Sequence, residues 1–198
     1  TYCYYQSKTL GMTRPLIVYT PSGYRESKDK YPVLYLVSGT TDTEETWFKV
    51  GRCNFILDNL IAQKQAVPMI IVLPYGNMPV GTPDPTTLQA AEMYKVFNDD
   101  LVTGIMPYVD SNYRTIPERE KRAIAGFSRG GGQSLFTGFN NLDKIAWIGS
   151  YSAYLTREVF DKYFSNLSEN PERTNQQVKL LWMGVGKADF LYSQATAF

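Results

Sequence analysis

Two five-residue runs, Val33–Val37 (VLYLV) and Met69–Leu73 (MIIVL), contain no charged or amide side chain. A strand with one face in water alternates apolar and polar residues. A run without alternation suits a strand covered on both faces, which is the condition of strands in parallel sheets flanked by helices. Turn signals close both runs, Ser38-Gly39 in one case and Pro74 with Gly76 in the other. This pair of buried strands constrains the rest of the chain, because helices must then be found for both faces.

The remaining sequence supplies them in alternation. Strands are predicted at Leu16–Tyr19, Arg122–Phe127, Ile145–Gly149 and Val178–Val185. Tyr2–Thr9 suits an antiparallel edge strand. Helical spacing runs through Asn54–Ala62, where Phe55, Ile56, Leu60 and Ile61 define an apolar face that Leu57 broadens. It returns over Phe97–Tyr113, with Pro107 the expected kink, and again from the glycines after Ser128 to Phe139. Pro79–Pro85, with three prolines and a glycine, reads as a surface loop. Strand and helix in alternation, without repeats or a linker, predict one α/β domain over residues 1–198, with a mostly parallel sheet. The length of 198 residues is enough for one sizeable core.

Composition narrows the chemistry. A net charge of +1 without a Lys/Arg run leaves no electrostatic footprint for nucleic acid, and no apolar stretch approaches the ~20 residues of a membrane span. Cys3 and Cys53 are read as two free thiols. Histidine is absent altogether. That removes the commonest metal ligand and the commonest general base together, so no ordinary zinc, haem or copper site is expected.

The chemistry-bearing motif is Gly126-Phe127-Ser128-Arg129-Gly130, a G-x-S-x-G pattern between an apolar strand and a helix-like run. This is the strand–turn–helix setting of a nucleophile elbow, in which flanking glycines make room for a strained serine. The helix start then offers free N–H groups to a developing oxyanion. The plainer reading makes Ser128 an ordinary N-cap. Val37-Ser38-Gly39-Thr40 follows a buried strand, where a second oxyanion N–H belongs. Asp189, in Gly186-Lys187-Ala188-Asp189 after the last strand, is placed for a triad acid or for a turn.

These segments resemble the esterase-D-like esterases, and in particular the feruloyl and acetyl-xylan esterases of carbohydrate esterase family one. The likeness runs through Tyr19–Tyr24, Tyr31–Leu36, Ile56–Ile61, Pro68–Gly76, Ala125–Gln133 (AGFSRGGGQ) and Gly186–Tyr192 (GKADFLY). It implies an α/β-hydrolase fold, with Ser128 as nucleophile and Asp189 as triad acid. The backbone N–H groups of Thr40 and Arg129 would form the oxyanion hole. It also implies that the triad histidine, with a further strand and helix, lies beyond Phe198. Ser38 stands where the family usually has histidine. Feruloylated or acetylated xylan oligosaccharides are the implied substrates and a secreted or periplasmic location is implied. Trp47 and Tyr154 are candidate substrate contacts, with a packed loop anchor the alternative for Trp47. A non-catalytic carbohydrate-binding or scaffold relative is the competing reading.

Overall fold

The computed structural model describes residues 1–79, 88–153, 155–164, 167 and 169–197. Tyr154 and most of the Pro79–Pro85 loop lie outside the described residues. Seven strands form one sheet: β1 (Tyr2–Ser7), β2 (Met12–Tyr19), β3 (Val33–Val37), β4 (Ile70–Pro74), β5 (Arg122–Phe127), β6 (Trp147–Tyr151) and β7 (Leu180–Gly184). Their spatial order is β1-β2-β4-β3-β5-β6-β7. β4, β3, β5, β6 and β7 run parallel, and the β1–β2 hairpin joins antiparallel through β2. The five parallel strands therefore end on one edge of the sheet, where ligand sites of open α/β sheets form.

β3 and β4 occupy the middle, as their unbroken apolar runs require. Alternate side chains serve opposite faces. Val33, Tyr35, Val37, Ile124 and Ile148 enter the larger core with Leu135 and Phe136 of α5 (Arg129–Asn140) and with Phe97 of α3 (Leu88–Asp100). Each such side chain contributes about 1.5–3 kcal/mol by leaving water. On the other face Leu36, Ile71 and Leu73 pack with Cys53 and Leu57 of α2 (Cys53–Ala62), which follows the single turn α1 (Thr46–Lys49).

Two expectations need correction. The face of α2 that packs is set by Cys53 and Leu57, while Phe55 and Ile56 are 57% and 54% exposed. The irregularity in the long helical region lies before Pro107, not at it. Leu101–Ile105 is a π-helical stretch between α3 and α4 (Met106–Asn112), and Pro107 sits harmlessly in the first turn of α4. The last strand is exposed on both faces: Leu180, Leu181, Trp182 and Met183 of β7 are 39–47% exposed. Among the described residues β7 pairs only with β6, and α6 (Arg157–Tyr163), α7 (Pro171–Gln177) and α8 (Tyr192–Ala197) leave those side chains in contact with solvent. Cys3 and Cys53 are free and buried, as expected.

A contact between residues distant in the chain marks the π stretch. Asp100, fully buried at its start, accepts hydrogen bonds from Tyr5 Oη and Ser7 Oγ, each at 2.5 Å. Gly104, one turn on, brings the helix against Tyr5. The hairpin is thus tied to the helical layer through one carboxylate. Asp100→Ala would leave two buried hydroxyls without an acceptor, and we expect a loss of about 2–4 kcal/mol in urea unfolding.

Candidate active site

β5 ends at Phe127 and α5 begins at Arg129, so Ser128 makes the whole turn. Its backbone is left-handed, at φ 56° and ψ −120°. That conformation is strained for a non-glycine residue and persists only where the surroundings enforce it. Backbone packing enforces it here. A β-carbon on Gly126 would lie 2.3 Å from the Gly130 carbonyl oxygen, and one on Gly130 would lie 2.5 Å from that of Val37. The two glycines let the end of β5, the start of α5 and the end of β3 meet backbone to backbone. Ser128 makes no side-chain cap to α5, so the N-cap reading is set aside, and its side chain is half-buried rather than enclosed. Gly130→Ala should therefore destabilise the chain by about 3 kcal/mol or more, seen as a lowered urea midpoint.

The loop after β3 flanks the serine. A β-carbon on Gly39 would be 3.6 Å from Ser128 Cβ and 3.4 Å from the Phe127 ring. Thr40, next in the chain, is exposed beside them. The structure thus brings the Gly39–Thr40 segment and the start of α5 to the same side chain.

Asp189 is connected to Ser128 by hydrogen bonds that extend the sheet beyond its strands. The Ser128 N–H donates to the Tyr151 carbonyl (2.8 Å), and the Ser152 N–H donates to the Gly184 carbonyl (2.8 Å). Ser152 Oγ then donates to Asp189 Oδ2 at 2.6 Å, while the Leu191 N–H donates to Oδ1 at 2.9 Å. These two donors hold the Asp189 carboxyl below the usual carboxylate range, with Ser152 the larger cause. Ser152 is itself left-handed, at φ 48°, and 8% exposed.

Sequence reasoning missed Ser152, although its position directly after a strand end was a usable signal. It also assigned nothing to the side chain of Arg129. That guanidinium is buried and donates from Nη2 to the carbonyls of Gly39 (2.6 Å) and Ser38 (3.2 Å). Burial pushes it down to about 10, so it stays charged at neutral pH. Trp47 is half-buried, donates from Nε1 to the Val37 carbonyl at 3.0 Å, and lies 6.5 Å from the Tyr151 ring, centroid to centroid. That bond ties its loop to the end of β3.

The chain is similar to known proteins. The family model described as Putative esterase matches residues 7–197. The chain belongs to this esterase family. It is 32% identical to an endo-1,4-beta-xylanase/feruloyl esterase of Xylanibacter ruminicola, over 96% of this chain and 28% of that protein. It therefore spans little more than a quarter of that relative's length. A solved ferulic acid esterase superposes with a TM-score of 0.83 at 26% identity, covering 100% of this chain and 82% of the other. A ferulic acid esterase from Anaeromyces mucronatus, solved with ferulic acid, gives 0.70 at 25% identity, covering 98% and 86%. The chain has the α/β-hydrolase fold of these esterases.

A pH prediction follows from the Asp189 contacts. Removing the Ser152 hydroxyl withdraws the main donor to the ionised form, so Ser152→Ala should raise the Asp189 titration midpoint toward the ordinary ~3.9. In this family member the carboxylate would be unchanged at pH 7 and would protonate at a higher pH on acidification than in the wild type. Carboxyl-carbon NMR titration measures it directly.

Proposed function

We propose that this esterase domain hydrolyses feruloyl or acetyl esters on plant xylan, with Ser128 as nucleophile and Asp189 as the acid of a Ser-His-Asp triad. The observation that carries the reading is the left-handed Ser128 at the end of β5, pinned between two glycines with the Gly39–Thr40 loop against it. Likeness to feruloyl esterases across nearly the whole chain supports the acyl class. In outline, Ser128 Oγ attacks the ester carbonyl as a histidine takes its proton. Asp189 orients that histidine and stabilises its cation. The N–H groups of Thr40 and Arg129 stabilise the oxyanion, and water then releases the acid from the acyl-enzyme. The 198 residues contain no histidine, so in this reading the base comes from a longer natural chain. A neutral serine hydroxyl is a weak nucleophile without one.

The substrate argues for location. Xylan is a polymer that cells do not take up intact, which supports a secreted or periplasmic enzyme. An export leader on the gene is the expected finding, and a leaderless gene would count against this placement.

The test is hydrolysis of methyl ferulate and of acetylated xylo-oligosaccharides by the full gene product. We expect turnover of at least one, lowered at least ~10⁴-fold in Ser128→Ala. Hydrolysis of neither would sink the substrate assignment. The isolated Thr1–Phe198 chain should retain only the ~10³–10⁴-fold acceleration over water that an oxyanion hole leaves when a triad member is missing. Fast turnover by it, abolished in Ser128→Ala, would show a base other than histidine. The absence of histidine also favours the second reading, a carbohydrate-binding or scaffold relative. A gene that stops at Phe198 would favour that one.

A further inference from the structure

Several side chains at the carboxyl edge have no part in the chemistry just proposed, and they converge on one short loop. Asp42 Oδ2 accepts the Gly39 N–H at 2.8 Å. Asn77 Nδ2 donates to the Asp42 carbonyl at 3.0 Å. Asn77 is held in turn by Arg14, whose Nη2 donates to the carbonyls of Tyr75 (2.6 Å) and Asn77 (2.7 Å). From the other side Arg129 Nη2 donates to the carbonyls of Ser38 and Gly39. The loop from Ser38 to Asp42 is thus gripped at its amide, at three of its carbonyls, and from two directions.

The Arg129 guanidinium occupies a slot shaped for it. A β-carbon on Gly76 would lie 3.1 Å from Arg129 Nη2 and 2.9 Å from Gln133 Oε1, and Gln133 Nε2 donates to the Gly76 carbonyl at 2.8 Å. Among the described residues no carboxylate forms an ion pair with Arg129, its Nε has no partner, and the residue is 4% exposed. A buried charge without a direct ion pair is costly, attraction to the nearby Asp42 carboxylate offsetting only part of its burial, and an apolar side chain of similar volume would fill the slot more cheaply. Packing alone therefore gives no reason for a guanidinium here.

The peptide unit gives one. The Gly39 carbonyl and the Thr40 N–H belong to the same planar trans peptide and point in opposite directions. A donor fixed on that carbonyl fixes the plane, and so fixes where the Thr40 N–H points. A cationic donor also polarises the amide and strengthens its N–H as a donor. We infer that the Arg129 side chain is the positioning residue of the oxyanion hole, orienting and polarising the Gly39–Thr40 peptide through its 2.6 Å bond to the Gly39 carbonyl. One residue then serves both halves of the hole: its own N–H at the start of α5, and through its side chain the N–H of Thr40. The inference rests on the oxyanion-hole assignment proposed above.

Two variants test it, Arg129→Met, which keeps length and loses every donor, and Arg129→Lys, which keeps a charge and a single-point donor. In the full gene product, Arg129→Met should lower kcat on methyl ferulate about 10²-fold with KM within about threefold, the signature of an interaction made in the transition state. Arg129→Lys should recover at least tenfold of that loss. Circular dichroism and urea midpoints establish that each variant is folded, and if Arg129→Met is not, the lysine variant alone is required to fall between wild type and a 10²-fold loss. An unchanged kcat, equal losses in the two folded variants, or a loss confined to KM would overturn the inference. Amide NMR on the full gene product provides a readout independent of turnover. The Thr40 amide proton should move upfield in Arg129→Met, as loss of the cationic donor on the Gly39 carbonyl depolarises that peptide, with the β3 and β5 amides unchanged. If wild type hydrolyses neither ester, the esterase reading fails by itself and the shift decides the positioning claim, with an unchanged Thr40 resonance overturning it.

Discussion

The contact on which the molecule depends is between backbones. At the end of the sheet the first turn of α5 approaches the last peptides of β3 so closely that position 130 has no space for a methyl group. Interiors are packed to crystal-like density, so such a contact has little freedom to relax. It fixes the crossing of α5 over the sheet, and α5 in turn covers β3, β5 and β6 with the side chains that make the larger core. The strain held in Ser128 is a consequence of that fit. Fold and reactive geometry therefore share one cause, and a change that relaxed the serine would also loosen the helix.

Around this contact the polar groups follow a division of labour. The serine side is built from main-chain groups and side chains that hold them, with Arg129, Asp42 and Asn77 all turned toward peptides rather than toward one another. The acid side is built from a side-chain hydroxyl and one N–H on Asp189, close to water. The first arrangement holds groups in place. The second keeps a carboxylate ionised.

Much of this was legible in the residues. Val33–Val37 and Arg122–Phe127 have the predicted bounds, because apolar runs closed by turn residues leave little choice of register. The elbow was legible from its glycines, since only a crowded turn needs them on both sides of a serine. What escaped was whatever depends on a partner far along the chain. The packed face of α2 was misread because periodicity reports apolar spacing, whereas burial depends on what lies against each residue. The π stretch escaped because the contact that marks it, Asp100 with Tyr5 and Ser7, joins residues more than ninety positions apart. The Arg129 side chain escaped for the same reason: its partners lie on another strand, and an arginine within a serine motif carries no sign of which way it turns.

The exposure of β7 has a bearing on how the two halves of the site keep their alignment. Proteins open in cooperative units, and a marginal strand with solvent on both faces belongs to the least protected of them. Ser128 follows a strand inside the sheet, while Asp189 follows the strand at its edge. In the proposed triad, an opening confined to β7 carries the acid away from the nucleophile while the core stays closed. Such an opening draws on a different cooperative unit from the one that overall melting reports.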